Sequence, residues 1–520
     1  MPQRWQWQPP IREEWTGRDS PPATTRPQCV VQLAHPCHCL SGRRVLGALQ
    51  FTGATGGFRR RELVTAIGPA RTTPTYAAIG LLGSLTRYRR DPLDLLMSGF
   101  RELGDVVHFR MFTRDLVLLA HPDAVRRVLQ DNVGNYDKQT RGFQVLRAYL
   151  RQGLLTSEGD HWLRQRRIAQ PGFHRTRIAG FGQTMTRAAG ELVDRWLDVP
   201  APDLVNVTTE MMRLTLRIVG ETLLSTDVSR EADRVGQALN VTLQRANEVI
   251  GQVVPRPEWW PTPANRQLRA AMRTLDDVIL EIIAGRRAGD SDPDDLLSML
   301  MQARDEETGQ GMSDPQLRDE VMTIFLAGHE TTAIALGWTW YLLSQHKTVR
   351  ERLHAEIDSV LDGRTPSVAD LPGLGYVERV IKESMRLFPP AWIISRRAIE
   401  EDVIGGYRVP AGSIVLLSPY VTHRHPGFWE NPEDFDPDRF DMNRQGERPA
   451  FAFFPFGGGP RQCIGNSFAM MELVLVVATI AQRCQLDRLP GGPVGTAPSI
   501  TLRAATPITM RVGPRAPSPA

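Results

Sequence analysis

Lysine is almost missing from this chain. Only Lys138, Lys347 and Lys382 occur, so 59 of the 62 basic residues are arginine. Arginine suits forked pairing with carboxylates, although a GC-rich coding sequence accounts for most of the bias without any chemistry. Cysteine is sparse as well: five in 520 residues is an odd number and too few for a disulfide scaffold. No apolar run approaches the roughly 18 residues that cross a bilayer; Leu473 to Ile480 is among the longest. The N-terminus lacks the compact apolar stretch of a secretory signal. An excess of one charge is absent too, since the formal net charge is only +4, too weak to point to nucleic acid without a local patch.

What remains is ordinary globular composition, 41% hydrophobic and 23% charged, which argues against wholesale disorder. The length admits several domains as a prior and suffices to bury a large core around a ligand. Residues 1–62 read differently from the rest. They hold Trp5, Trp7 and Trp15, several prolines and no sustained period. Nine arginines against four acids give this segment +5, leaving the remaining residues at −1. Cys29, Cys37 and Cys39 also fall here. The run His35-Pro36-Cys37-His38-Cys39 suggests a metal cluster, but its ligands are too crowded for two-plus-two zinc spacing and no second pair follows. The segment reads as a poorly ordered extension, or as sequence upstream of the true start.

From Leu63 onward the pattern is regular. Val106 to Phe109 and Leu116 to Leu119 flank a polar turn and predict a β-hairpin. Pro122 opens a helix through Leu129. Helical patterns fill roughly 160–360, broken at Pro255 to Pro263. Ser313-Asp314-Pro315-Gln316 is a capping-box start for a helix running to about Gln345. Irregular sequence rich in proline, glycine and aromatics dominates Pro389 to Gly465. A last helix then runs to about Arg483, and Ser499 to Val512 alternates as a terminal hairpin would. The fold class expected is mainly α with small β-sheets.

The strongest chemical feature is Phe456-Gly457-Gly458-Gly459-Pro460-Arg461-Gln462-Cys463-Ile464-Gly465. A glycine-rich loop before a helix can cradle phosphate, but the Gly-Lys-Ser/Thr ending of a P-loop is missing. One cysteine stands where the loop becomes a helix, and free N–H groups there favour a thiolate. Glycines let backbone approach a flat cofactor closely. A thiolate is also the ligand that pushes electron density onto haem iron. The string resembles the haem-binding signature of the cytochromes P450, Phe-x-x-Gly-x-Arg-x-Cys-x-Gly. The resemblance implies haem b with Cys463 as axial ligand, Arg461 on a haem propionate, and Phe456, Gly457 and Gly465 framing the cofactor. Cys484 has no such surroundings and reads as core.

Ala327-Gly328-His329-Glu330-Thr331-Thr332 lies on the capped helix as a polar pair inside an apolar stretch. Buried groups of this kind need partners, water among them. The segment resembles the family's oxygen-activation motif. Carried over, Thr331 positions water, Glu330 feeds protons inward, Ala327 lies at the haem, and Gly328 gives room for oxygen. His329 has no assigned role. Glu383 and Arg386 share a helical face at i, i+3, and match the family's Glu-x-x-Arg. With Arg439 in Pro437-Asp438-Arg439-Phe440 they imply a structural triad that holds the cysteine loop. Trp162 and Arg166 resemble the family's Trp-x-x-x-Arg helix, which reaches haem propionates. Arg396 fits another propionate position, with its neighbour Arg397 an open alternative.

The resemblance runs from Leu63 to Val512 and implies one large domain over 63–520 after the extension. It implies a bacterial-type, cytoplasmic, monomeric haem-thiolate monooxygenase without a membrane span or nucleic-acid partner. Such an enzyme inserts one oxygen atom of O2 into a lipophilic small molecule. Electrons are then expected from a separate ferredoxin with its reductase, or a flavoprotein reductase. Ala327, Glu330, Ile393, Ile394 and the loop Phe143 to Leu146 are the expected pocket residues. Two alternatives stand against this: a peroxide-driven peroxygenase, disfavoured by the intact Glu330–Thr331 pair, and a non-catalytic haem sensor or carrier, for which no output domain is recognisable. Fatty acids, terpenes, steroids and aromatic xenobiotics all remain open as substrates.

Overall fold

The computed structural model describes residues 70–515, apart from 77–82, 112–113, 199–203, 227–231, 252–258, 289–294, 305–308, 445 and 447. The proposed extension 1–62 and the His35–Cys39 run lie outside the described residues.

Two helices organise the interior. The first spans Asp314–Gln345 and is buried on nearly every face from Gln316 to Leu343. A helix covered on all sides belongs in a core rather than at a surface, and from Ala333 to Leu343 its sequence is mostly apolar. It starts on Ser313, whose hydroxyl accepts the Gln316 N–H at 3.4 Å. The Gln316 side chain accepts from Arg164 instead of closing the capping box. The second core helix, Asn466–Arg483, directly follows the cysteine loop and buries the run Leu473 to Ala481. The central helix packs along Val207–Leu223, where Gly328 meets its neighbour closely: a Cβ there would lie 3.1 Å from Val219 Cγ2. Gly328 is therefore used for helix packing on one side, while it also lines the cavity, as its motif position suggested.

The largest sheet has five strands in the order Val106–Met111, Arg114–Leu119, Ile414–Leu417, Ile394–Ala398, Tyr136–Asp137. The expected hairpin is its first pair, with Val107 opposite Leu118. Two of its strands arise from the Pro389–Gly465 stretch that sequence marked as irregular. They are only four and five residues long, below the length at which alternation is readable. Their pairing is antiparallel, with Ile394 opposite Leu417 and Arg396 opposite Val415.

The expected terminal hairpin is not formed as such. Leu502–Ala504 pairs with Thr496–Pro498, whereas Thr509–Pro514 pairs with Cys484–Arg488 and Leu204–Asn206. The helix at Pro122 closes at Arg126 and widens into a π turn over Arg127–Asp131. That turn brings the Leu129 carbonyl against the cysteine loop.

Candidate active site

The cysteine loop is fixed by backbone geometry. Gly457 and Gly459 have φ of +69° and +64°, a region that side chains rarely tolerate. A Cβ on Gly459 would also lie 1.9 Å from the Leu129 carbonyl oxygen. The Cys463 N–H donates to the Phe456 carbonyl at 2.9 Å, folding the loop back on itself before the helix begins.

Behind this loop sits the charge cluster. Arg386 donates to both oxygens of Glu383 at 2.7 Å, and Arg439 Nε donates to Glu383 Oε1 at 3.2 Å. Glu383 and Arg386 are fully buried. The remaining donors are spent on backbone carbonyls: Arg386 on His423, Pro432 and Asp434, and Arg439 on Glu430 and Asn431. His423 links cluster to loop, since its Nε2 accepts the Phe454 N–H at 3.0 Å. Burial first, then the nearby Arg386 and Arg424, holds the His423 pKa well below its usual value.

In front of the loop lies a cavity of about 1170 Å³. It collects Cys463, Phe456, Gly457, Arg461, Gly465, Trp162, Arg166, Arg396, Ala327, Glu330 and Thr331 on one lining. Of the expected pocket residues, Ile393, Ile394, Phe143 and Leu146 line it too. Val145 packs instead with Tyr149, Ala246 and Leu268. Cys463 is open to the cavity, yet it lies deep in the fold, and burial raises its pKa against the pull of the Gly465 N–H and Arg166. A bound metal ion would offset that burial, because coordination deprotonates a thiol outright.

Four cations converge on one wall. Arg461 donates to the Ser157 carbonyl at 2.9 Å and stacks 3.6 Å above the Trp162 ring. Arg166 donates to the Gln462 carbonyl at 2.9 Å, and Arg396 to its neighbour's carbonyl at 2.9 Å. Lys138, missed by sequence reasoning, donates Nζ to the Leu155 carbonyl at 2.6 Å and lies 5.0 Å from the Phe143 ring centre. Burial lowers the pKa of Arg461 and Arg396 to about 10. It lowers that of Lys138 further, with Arg461 and Arg396 adding to the effect. Among the described residues none of the four has a carboxylate within ion-pairing distance. Glu158, the nearby acid, pairs with Arg147. Buried cations without counter-charge are costly, and the two carboxylates of a haem supply what is missing. The residues present thus fit the group. Arg397 turns away to pair with Asp137, so Arg396 is the one at the cavity. The only signal for Lys138 in the sequence was its rarity.

On the distal side Thr331 donates its hydroxyl to the Ala327 carbonyl at 2.7 Å. Glu330, on the same lining, is tied to other elements. Its Oε1 accepts from Thr501 Oγ1 at 2.8 Å and Arg503 Nε at 2.7 Å, while Arg503 also donates to Asn240 at 3.1 Å. These partners come from the C-terminal β-turn, which carries no motif. His329 is buried and faces away, its pKa lowered by burial. Cys484 is buried in the core as expected.

No helix among the described residues is long and apolar enough to cross a membrane. Comparison with known proteins agrees with this geometry. The cytochrome P450 family profile matches residues 73–507. The chain is 38% identical to cyclooctatin synthase of Streptomyces melanosporofaciens, over 88% of this chain and 99% of that protein. It is 36% identical to cyclooctat-9-en-7-ol 5-monooxygenase of the same organism, over 81% and 91%. It is 34% identical to pentalenene oxygenase of Streptomyces avermitilis, over 86% and 98%. Members of this family bind haem b through an axial cysteine thiolate and act as monooxygenases on lipophilic substrates. With the haem-sized cavity, the cysteine at its floor and the matched length all in agreement, the chain belongs to the cytochrome P450 family.

Proposed function

We propose that this protein inserts one oxygen atom of O2 into a cyclic alkene or alkenol of terpene size, as a hydroxylation or an epoxidation. The observation that carries the reading is the cavity. At about 1170 Å³ it exceeds the roughly 300–1,000 Å³ of an ordinary small-molecule site, which leaves space for cofactor and substrate together. Leu243, Ile324, Ile393, Ile394 and Ile500 give it apolar walls. Two relatives are named for an alkenol and an alkene, which favours terpenes over fatty acids and steroids.

Bound haem would supply one-electron chemistry and, through a thiolate that pushes electron density onto iron, O–O cleavage. We assign the thiolate to Cys463. Arg166, Arg396, Arg461 and Lys138 would hold the propionates, with Trp162 stacked beneath Arg461 and Phe456, Gly457 and Gly465 bounding the ring. Ala327 leaves the central helix flat at the cavity. Thr331 gives its own hydrogen to the Ala327 carbonyl, so its oxygen lone pairs remain to accept a water's hydrogen. Glu330, anchored by Arg503 and Thr501, is the acid one residue away that takes a proton in and passes it on. The apolar walls exclude stray water from the substrate. Residues 63–520 form the catalytic domain, and a separate ferredoxin or flavoprotein reductase delivers electrons.

The test has two parts. Titrating the ferric protein with cyclic terpenes, terpene alcohols, fatty acids and steroids should give a Soret shift with the first two alone. Turnover with ferredoxin, its reductase and NAD(P)H should yield oxygenated terpene. A shift with fatty acids only would overturn the substrate class, and product from peroxide alone would favour the peroxygenase alternative.

A further inference from the structure

The central helix carries a second line of polar groups that the chemistry above does not use. Gln316, Glu320 and Thr323 are spaced i, i+4, i+7 and so share one face. That face continues through Ala327 to Thr331, and Thr323 already lines the cavity. The three are 8%, 0% and 4% exposed. Each keeps one polar atom without a protein partner: Gln316 Nε2, Glu320 Oε1 and Thr323 Oγ1. The contrast with the helix's other threonines is sharp. Thr331, Thr332 and Thr339 each donate to the carbonyl four residues back, at 2.7, 3.0 and 2.7 Å, and Thr323 does not.

At the outer end, half-buried Arg164 donates Nη2 to Gln316 Oε1 at 3.1 Å, while its Nε is a fourth buried atom without a partner. Buried polar groups with no partner are rare and costly. A row of them within two turns, ending at a cavity, is the pattern that bridging water satisfies.

The facing wall is the loop Gln152 to Leu154. The Leu154 N–H donates to Glu320 Oε2 at 3.0 Å and the Gln152 N–H to Asp319 Oδ2 at 3.1 Å. Between them Gly153 lies so close that a Cβ would sit 2.0 Å from Thr323 Oγ1. The stripe is covered on that side by the Gly153 backbone rather than by a side chain. The Glu320 carboxyl is pushed up to about 8, mainly by burial, with the Leu154 N–H opposing and the Asp319 charge adding. It therefore holds a proton at neutral pH and can donate as well as accept.

We propose that this stripe is a water-bridged proton route into the cavity, parallel to the Glu330–Thr331 pair, with Glu320 as its relay acid. Glu320 releases its proton from Oε1 toward Thr323 and regains one from water at the Gln316–Arg164 end, so no charge accumulates in the core. From Gln316 to Thr323 the helix rises about 10 Å, a span that a few waters cover. The route rests on the monooxygenase reading, because that reaction consumes protons inside the cavity.

Two readouts test it in the holoenzyme. In infrared spectra, wild type should show a protonated-carboxyl band that shifts on transfer to D2O and is missing from Glu320→Gln. That substitution keeps an acceptor for the Leu154 N–H. Glu472 is buried with neither oxygen partnered, and burial raises its pKa as well, so the band is assigned by difference between the two proteins. This readout is independent of turnover and stands even if the substrate class is wrong. In coupled turnover, Glu320→Gln should cost more in a Glu330→Gln background than in wild type, with the double variant on the order of tenfold below Glu330→Gln alone. Thr323→Val should reproduce that dependence on background without touching the acid. A band that does not exchange, or equal effects of Glu320→Gln in the two backgrounds, would overturn the proposal.

Discussion

The two sides of the cysteine loop are built on opposite terms. Behind it, every charge is answered within the protein: Glu383 takes three guanidinium bonds, and the spare donors of Arg386 and Arg439 reach carbonyls. In front of it, four cations end on backbone carbonyls without a carboxylate, and several polar atoms of the central helix have no protein partner. The rear balances its own charges and sets the shape of the loop. The front is completed only by what it binds. Support and site are thus separate structures, and substitutions should sort accordingly.

The largest effect is expected from Glu383→Ala, which strands two buried arginines at a cost of about 3–5 kcal/mol. Haem-to-protein ratio should fall to near zero; normal haem content would end the claim that the rear cluster shapes the loop. Acid should attack the same region. The folded His423 pKa lies below the ordinary 6.5, so its contribution is intact above about 6.5 and is lost as pH falls below that value. A protonated ring cannot accept the Phe454 N–H. Haem release followed against pH should therefore accelerate on the acid side, and His423→Gln should flatten that dependence.

The front should respond more mildly. Lys138→Met removes one of the four cations we assign to the propionates, a charge-assisted bond of about 1.5–3 kcal/mol. Transfer of haem to a scavenging apoprotein should speed up about tenfold or more, while thermal unfolding of the polypeptide changes little. An unchanged rate would remove Lys138 from the haem site. Thr331→Ala should change stability least, by about 0.5 kcal/mol or less, and still divert reductant into peroxide in place of product. Tightly coupled product formation in that variant would contradict its assignment.

The same contrast explains what was legible in the sequence. The rear and the loop are short, local and over-determined. Gly459 has no freedom beside the Leu129 carbonyl, and Glu383 and Arg386 are one helical turn apart, so their residue types appear as fixed strings. The long helices were readable for a similar reason: Ser313 marks a start and the apolar run after Ile324 has no other home. The front is assembled from distant single residues. Lys138 and Thr501 meet the cavity, and Arg503 meets Glu330, only through tertiary packing, and no spacing announces them. The short strands Ile394–Ala398 and Ile414–Leu417 escaped because four or five residues are too few to show a period.

The central claim is that Cys463 presents a thiolate to haem iron in this cavity. A carbon monoxide difference spectrum of the dithionite-reduced protein tests it most directly. The account predicts the long-wavelength Soret band of thiolate-ligated haem in wild type and its loss in Cys463→Ala. Wild-type protein loaded with haem but lacking that band, or a Cys463→Ala variant that retains it, would contradict the account.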